Sequence, residues 1–416
     1  MRILVVGKGG REHALVTALH ESPSETELFA FPGSDAIHTL ARPVEADSLA
    51  SLASFMQREQ IDLCVAGEES YLIKEEGLAA ACAAICVPCW GPPKESAQLE
   101  ASKDFAKRFM LRHGIPTAAY ERVTNYEEAL AAITAYPTVL KFDGLAAGKG
   151  VAICHDASTA EAFLREVFVE RRFGPGDLLV EECLSGPEIS IFAAVSDGDY
   201  QIFAPARDYK RIRDNDEGPN TGGMGAVSCR QGMVSTELLE EIERTVVAPT
   251  ILGLQADGLP YRGFLYFGLM LTSAGPKVLE YNCRFGDPEA QAVLPLVKGD
   301  FARYVESGAR GKLDRSLIQF SPEWSVCVIL AAAGYPDQVQ TGDIIHGLDR
   351  TSGVRVYHAG TRKDEDGNYL TQGGRVLAVV AQGTTREEAV TQAHQEASKI
   401  HFDGCQRRTD IGRLHF

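Results

Sequence analysis

No apolar stretch reaches the roughly 18 residues that a membrane helix requires, and the chain opens on a short strand-like run, Met1 to Gly10, where a signal peptide would stand. These two absences predict a cytoplasmic protein with no membrane partner. Basic charge is also scarce: 41 Lys and Arg stand against 57 Asp and Glu, a net charge of −16, which repels nucleic-acid backbones over most of the surface. Nucleic acid is therefore a poor default partner. An anionic small molecule would have to be held by a local concentration of Lys, Arg and backbone N–H groups. The ten cysteines are not spaced for zinc: only Cys82, Cys86 and Cys89 cluster, and Cys86-Val87-Pro88-Cys89 has no second CxxC and no nearby His. That leaves a redox or metal pair on one side and, more simply, an apolar strand ending at Trp90-Gly91-Pro92. Internal repeats and low-complexity linkers are missing as well.

What the chain does have is 45% hydrophobic residues over 416 positions, enough for two or three cores of ordinary size. Glycine is in surplus, 40 residues against a usual share of about 7%, which implies loops that approach something closely. Up to residue 102 the runs 2–6, 27–31, 61–66 and 85–90 read as buried strands and 12–19, 48–57 and 75–84 as helices, the βαβ rhythm of a parallel-sheet α/β domain. A helix over 102–113 carries Lys103 and Lys107 in its first turns. From 103 to 313 the rhythm changes to strands (137–142, 150–155, 178–183, 188–194, 201–204, 263–271, 277–282), helices over 158–167 and 236–255, and a glycine-rich charged loop over 208–225. From 324 to 416 short strands and turns precede a helix over 386–401, which predicts a small β-rich domain. The fold class is thus a mixture of α/β and α+β.

Four segments can carry chemistry. Gly7-Lys8-Gly9-Gly10-Arg11-Glu12-His13 follows a strand and opens a helix, where N–H groups and the helix dipole make an anion site. Its third dinucleotide-type glycine would be Glu12, and Phe31-Pro32-Gly33 offers no acid for a ribose, so a tight turn, a dinucleotide site and a site for another phosphate all stay open. Lys141-Phe142-Asp143-Gly144-Leu145-Ala146-Ala147-Gly148-Lys149-Gly150 fails as a Walker loop, because only three residues rather than four separate Gly144 from Gly148, Gly150 replaces Ser or Thr, and a strand follows. It reads instead as a strand-loop-strand hairpin able to fold over a triphosphate. In Glu280-Tyr281-Asn282-Cys283-Arg284 a period of two puts Glu280, Asn282 and Arg284 on one face. Two hard oxygen donors and a cation there suit Mg²⁺ and a transferred anionic group. The stretch Asp208 to Gly225 sets Lys210, Arg211 and Arg213 beside Gly218-Pro219-Asn220-Thr221-Gly222-Gly223, either a solvated charged face or backbone exposed to a ligand.

In this order the segments resemble the ATP-grasp ligases, and within them the glycinamide ribonucleotide synthetase family. The likeness covers nearly the whole chain through Gly7 to Leu15, Gln98 to Lys103, Asp143 to Gly150, Gly218 to Gly225, Gly263 to Met270, Asn282 to Glu289, Thr341 to Gly347 and Asp410-Ile411-Gly412. It implies a carbon–nitrogen ligase of purine biosynthesis that joins glycine to 5-phosphoribosylamine at the expense of ATP through a glycyl phosphate, as a monomer or homodimer. The resemblance also implies an acceptor-binding domain over 1–102, an ATP-grasp domain over 103–313 with a mobile lid near 116–190, and a C-terminal domain over 324–416. Lys103 and Lys141 would touch ATP phosphates, and Gly148, Lys149 and Gly150 would close over them. Glu181, Cys183 and Leu184 would form the adenine hinge, Glu188 would hold the ribose, and Glu280 and Asn282 would ligate Mg²⁺ or Mn²⁺. Arg284, Asp208, Asp287, Gly286, Lys210, Asn220 and the Gly222-Gly223 backbone would surround glycine and the acyl phosphate, with Lys141, Lys149, Asp208, Arg284 and Asp287 as the catalytic set. Gly9, Gly10, Arg11 and Glu12 would meet the phosphoribosyl group.

The chain departs from the family's usual pattern where GPEAPL becomes Gly67-Glu68-Glu69-Ser70-Tyr71-Leu72, and at Phe142, Cys183, Arg207, Tyr209 and Phe267. The first of these bears on the amine acceptor and the others on substrate fit. The alternatives are an ATP-grasp ligase for another amino acid or amine, and a non-catalytic ATP-binding homologue; the latter has no need of the Glu280, Asn282 and Arg284 face.

Overall fold

The computed structural model describes residues 1–144, 146 and 150–413. Strand β1 (Arg2–Gly7) and helix α1 (Gly10–His20) lead to β2 (Glu27–Pro32), β3 (Arg42–Pro43), α2 (Leu49–Arg58), β4 (Leu63–Ala66), α3 (Ser70–Ile73), α4 (Leu78–Ala84) and β5 (Cys89–Trp90). The strands form a parallel sheet in the order β3-β2-β1-β4-β5, the predicted α/β unit. Two segments differ from the sequence reading. The expected helix over 75–84 begins only at Leu78, because Gly77 takes a left-handed turn at φ 87°. The strand expected over 85–90 shrinks to Cys89–Trp90, because Ile85 still caps α4 and Cys86 turns the chain at φ 58°.

Helices α5 (Gln98–Ala101) and α6 (Lys103–Arg112) bridge to a separate four-stranded antiparallel sheet. It contains β6 (Tyr120–Val123), β7 (Thr138–Phe142), β8 (Val151–Cys154) and β9 (Leu178–Glu182) in the order β6-β9-β7-β8, with α7 (Tyr126–Ala132) and α8 (Ala157–Leu164). Leu140, Phe142, Phe163 and Leu178 belong to a core cluster of its own. The sequence reading missed β6 and α7, which are short and have exposed faces.

The largest sheet spans the rest of the chain. It takes β10 (Glu188–Ser196), β11 (Asp199–Ile202) and β12 (Ala206–Asp208), then, past the hairpin β13 (Arg211–Arg213) and β14 (Glu217–Asn220), β15 (Gly225–Cys229). After α9 (Thr236–Ile242) and α10 (Ala248–Ala256) come β16 (Arg262–Thr272) and β17 (Gly275–Asn282), then α11 (Glu289–Val293), β18 (Val297–Gly299), α12 (Phe301–Ala309) and β19 (Ile318–Phe320). The C-terminal part adds β20 (Trp324–Ala331), β21 (Arg355–His358), β22 (Thr361–Lys363), β23 (Tyr369–Thr371), β24 (Arg375–Gly383) and α13 (Arg386–Ala397). The path runs β17-β16-β10-β12-β15-β20-β24-β21, so the C-terminal strands β20, β24 and β21 continue the central sheet, while β13 with β14, β18 with β19 and β22 with β23 form separate pairs. Helices α9 and α10 occupy the predicted 236–255 stretch, joined by a wide turn over Glu243–Val247 just before Pro249, whose missing N–H cannot close a regular turn.

Trp90 locks the parallel sheet onto the central one. It is 1% exposed, and its ring meets Phe264 of β16 edge-on at 5.2 Å. Removing it should open a cavity worth about 3–5 kcal/mol. Trp90→Ala is expected to lower the apparent melting temperature clearly, whereas Leu252→Ala, at a position 64% exposed, should leave it unchanged; calorimetry of both variants checks the assignment.

Candidate functional site

An open cleft of about 780 Å³ lies where α5, α6, β7, β9 and β17 meet. It unites the predicted residues Lys103, Lys141, Gly150, Glu181, Glu280, Asn282 and Arg284, and adds Glu69, Glu100 and Lys107. Gly148 and Lys149 lie outside the described residues. Cys183 and Leu184 follow the end of β9 and Glu188 opens β10, close in sequence to the cleft but not in its lining.

The cationic wall is built on α6. Ser102 caps the helix by accepting from Phe105 N–H at 3.1 Å, and Asp143 from the end of β7 accepts from Lys103 N–H at 2.6 Å, so the β7 loop is tied to the helix N-terminus. Lys103 Nζ reaches back to the Gly144 carbonyl at 2.9 Å. One turn on, Lys107 is buried with its Nζ 3.0 Å from Glu181 Oε2, and Lys141 approaches the same oxygen at 3.0 Å while donating to the Leu279 carbonyl at 3.1 Å. Burial pulls Lys107 down to about 8 against the opposing effect of Glu181, and lowers Lys103 as well, against Glu280 and Asp143. Glu181 Oε1 is buried with no hydrogen-bond partner among the described residues. An acceptor left in this state costs about 1–3 kcal/mol, a deficit that a ligand donor would remove.

The opposite wall is the end of β17. A bulge between β16 and β17 at Leu279 re-aims the strand. The Tyr281 and Cys283 side chains are buried, and Glu280 and Asn282 line the cleft together with Leu279 and part of Tyr281. In the orientation its hydrogen bonds favour, the Asn282 amide nitrogen donates to Glu100 Oε1 at 3.2 Å and to the Tyr281 carbonyl at 3.0 Å. Arg284 is clamped by two carboxylates, Nη2 at 2.7 Å from Glu100 Oε1 and Nε at 3.1 Å from Glu69 Oε2. Glu100 also accepts from Cys283 N–H at 2.6 Å. Burial raises Glu100 to about 7 in spite of Arg284, whereas Glu69, only half-buried, is held at about 2 by Arg284 and Arg11 against the opposing effect of its partial desolvation. The sequence reading did not assign Glu69, Glu100 or Lys107 to the site. Glu100 sits inside the Gln98 to Lys103 motif and Lys107 is one turn after Lys103, and those were the available signals.

Near the N-terminal sheet, Glu12 folds back onto its own helix start. Its Oε2 accepts from Gly9 N–H at 2.6 Å and its Oε1 from Arg11 Nε at 2.6 Å. The Gly9 amide is thus used within the chain, satisfied by the N3 carboxylate at the start of α1. A side chain at Gly10 would run into Gln291, so this glycine serves close packing of α1 on α11. Arg11 extends to Glu69 at 3.4 Å and to the Phe285 carbonyl at 3.3 Å, which Arg284 also contacts at 3.3 Å.

A second polar cluster adjoins Glu280. Lys210 Nζ pairs with Glu188 Oε2 at 2.7 Å. Burial raises Asp208, with Lys210 opposing and Glu188 and Glu280 adding to it; burial and Asp208 raise Glu289 to about 7. Asp287 is salt-bridged to Arg375 at 3.0 Å and accepts from Gln291 at 2.8 Å. Arg375 also donates to the carbonyls of Gly222 and Asp287, and Tyr335 accepts from Gly222 N–H at 2.9 Å, so C-terminal residues brace the glycine loop. Gly223, at φ 108°, has the Pro288 ring where a side chain would stand, and the Gly286 position abuts Glu289 in the same way. Asn220 pairs with Arg211 in the exposed hairpin.

Several departures from the usual pattern are structural partners. Arg207 and Arg408 both lie against the Tyr209 ring, at 5.6 and 5.1 Å, and Tyr209 OH accepts from Gly412 N–H at 3.0 Å, which ties down the C-terminal segment. Phe142 stacks toward Phe173 at 5.4 Å, and Tyr71 meets Phe31 edge-on at 5.6 Å.

A carboxyl held below its ordinary 4.5 contributes stability that is complete above that value and is lost as pH falls toward about 2. Glu69→Gln is therefore expected to cost about 2–3 kcal/mol at neutral pH, and the gap to the parent chain should shrink as acid protonates Glu69. Denaturant unfolding across the acid range measures it, and a gap that does not change with pH would contradict the clamp.

Comparison with known proteins agrees with this geometry. The chain matches the three descriptions of phosphoribosylglycinamide synthetase in order: the N domain over residues 1–100, the ATP-grasp (A) domain over 101–290 and the C domain over 325–414. It is 42% identical over 417 residues to the phosphoribosylamine–glycine ligase of Caldanaerobacter subterraneus, with 99% of each chain covered. To that of Allochromatium vinosum it is 44% identical over 425 residues, covering 99% of this chain and 98% of the relative. The crystal structure of the Thermotoga maritima phosphoribosylamine–glycine ligase superposes with a TM-score of 0.86 at 34% identity, covering 99% of this chain and 100% of that one. A biotin carboxylase domain from Hydrogenobacter thermophilus, at 18% identity and a TM-score of 0.72, shares the fold over 98% of this chain and 91% of its own. With its parallel sheet, its ATP-grasp sheets and its C-terminal strands all matched, the chain belongs to the phosphoribosylglycinamide synthetase family.

Proposed function

We propose that the protein joins glycine to 5-phosphoribosylamine. A glycine carboxylate oxygen attacks the γ-phosphorus of ATP and ADP leaves; the amine nitrogen then attacks the carbonyl carbon of the glycyl phosphate and gives up one proton, and phosphate departs with that oxygen. The products are glycinamide ribonucleotide, ADP and phosphate, and the reaction belongs to purine biosynthesis. The observation that carries this reading is one cleft in which Lys103 and Lys141 face Glu280, Asn282 and Arg284, in a chain matched end to end by ligases of this name. A carboxylate is a poor electrophile, and phosphorylation supplies its leaving group. No covalent enzyme nucleophile is required.

The residues divide the task. Lys103 and Lys141 hold the phosphates, with Gly148, Lys149 and Gly150 assigned to close over them and exclude water. Glu181 Oε1, without a partner among the described residues, suits a donor such as the adenine amine, beside Cys183 and Leu184, with Glu188 toward the ribose. Glu280 and Asn282 supply hard oxygens of the kind Mg²⁺ or Mn²⁺ takes alongside phosphate and water. When bound, such an ion neutralises phosphate charge and orients the transferred group. Arg284, fixed by Glu69 and Glu100, stabilises charge on the acyl phosphate. Asp208, Lys210, Asn220, Gly222, Gly223, Gly286 and Asp287 are assigned to glycine and its activated form, with the Asp287 carboxylate shared between Arg375 and the substrate ammonium. Gly10 and Arg11 are assigned to the phosphoribosyl side, with Gly9 and Glu12 shaping the turn. In the same scheme residues 1–102 bind the acceptor, 103–313 hold ATP beneath a lid near 116–190, and 324–416 brace the glycine loop.

Glu280→Ala, with the circular dichroism spectrum unchanged, and Arg284→Ala, with a lowered melting temperature from the broken clamp as well, should each reduce glycine-dependent ADP release by about 100- to 1000-fold at a temperature where the variant is folded. Turnover measured with phosphoribosylamine supplied, and the product identified by mass, tests the assignment. Undiminished turnover in either variant would remove that residue from the scheme, and a product made from another amino acid in preference to glycine would overturn the substrate.

A further inference from the structure

The N-terminal sheet carries a second cluster of reactive side chains that the ligase chemistry does not use. Cys64 of β4, Cys82 of α4 and Cys89 of β5 bring their sulfur atoms within 4.8 Å of one another. They come from three separate elements. Cys64 and Cys89 are register partners on adjacent parallel strands and therefore share a face, and α4 packs against β5 and contributes Cys82. Cys86, which local spacing would pair with Cys89, is instead exposed on the turn before β5 and is not part of the group. The three thiols are free, and Cys64 and Cys82 are fully buried while Cys89 is partly open to solvent. Their surroundings are apolar: Cys64 and Cys82 lie in a core cluster with Leu78 and Ala81, and Ala66 and Leu72 flank the Gly91 position next to the Cys89 sulfur.

We propose that Cys64, Cys82 and Cys89 form a three-thiolate site for a soft divalent d¹⁰ cation of the zinc and cadmium class, with the fourth coordination position open to solvent beside Cys89. All-sulfur donors select soft ions over Mg²⁺ or Ca²⁺. With metal–sulfur bonds of about 2.3 Å, sulfur atoms on a tetrahedron stand about 3.8 Å apart, so the triangle needs only a small contraction. Charge decides between ions. Three S–H bonds break and release three protons to solvent as three metal–sulfur bonds form. A divalent ion then leaves one net negative charge, whereas a monovalent ion would leave two in apolar surroundings, where unpaired charge is costly. No fourth His, Cys, Asp or Glu belongs to the group among the described residues, and Cys89 is the ligand of the three that solvent reaches. Strands and a helix hold the donors in place, which keeps the ordering cost of binding low.

Cd²⁺ is the probe, because its bonds to sulfur give an ultraviolet charge-transfer band that oxygen ligands such as Glu280 and Asn282 do not. The full-length chain, reduced with a non-thiol phosphine, is expected to develop this band and saturate at one Cd²⁺ per chain. Cys82→Ser and Cys89→Ser should each weaken binding on the order of 100-fold or more, the loss of a direct ligand being at least as severe as that of an outer partner. Cys86→Ser should bind as the parent does. If Cys82→Ser does not fold by circular dichroism, the partly exposed Cys89→Ser decides alone. Absence of the band in the parent chain, undiminished binding by Cys89→Ser, or loss of the band in Cys86→Ser would each overturn the site.

Discussion

Arg284 between Glu69 and Glu100 is the contact on which the arrangement depends. The three residues come from distant parts of the chain: Glu69 follows β4 of the parallel sheet, Glu100 lies in α5, and Arg284 follows β17 of the central sheet. The guanidinium therefore fixes the position of one domain against the next while staying at the cleft wall. A buried arginine without carboxylates would be prohibitively costly, and two buried carboxylates without the arginine would not both ionise. The inequality between Glu69, held at about 2, and Glu100, raised to about 7, records how the cation is shared: Glu69 has Arg11 as a second partner, and Glu100 is more deeply buried.

The same economy answers the problem set by a net charge of −16. The cleft does not collect surplus cations. It places Lys103, Lys107 and Lys141 where burial weakens their hydration and a single carboxylate oxygen of Glu181 orients two of them. Such a local field is effective in a low-dielectric pocket and is little diluted by acidic groups elsewhere, because salt screens exposed charges that lie more than a Debye length away. The glycine loop follows a related logic. Gly222 is braced by Tyr335 and Arg375, so the C-terminal part, whose strands β20, β24 and β21 continue the central sheet, supports the site without lining the cleft.

Local pattern made much of this legible. Glu280 and Asn282, which the alternation put on one face, both line the cleft while the Tyr281 and Cys283 side chains are buried, and the glycine-rich turns fall where strands end. Contacts between distant segments were not legible. Glu100 reads as an ordinary acid, and Glu69 only as part of a loop near the amine acceptor, until the sheets are assembled, and Cys64 is far in sequence from Cys82 and Cys89 until β4 and β5 pair. Nor does a charged loop announce that β13 and β14 will form a hairpin, since none of its side chains repeats with a clear period. Arg207 and Tyr209 read as changes near the substrate, yet with Arg408 they form a stack that anchors the C-terminus. Their side chains are explained by that packing.

The central claim is that the glycine carboxylate is phosphorylated before the amine attacks. Glycine labelled with ¹⁸O in its carboxylate tests it directly, with the released phosphate and the amide product analysed by mass spectrometry. The scheme predicts one labelled oxygen in each phosphate formed and one retained in the amide. Unlabelled phosphate, at full turnover, would contradict it.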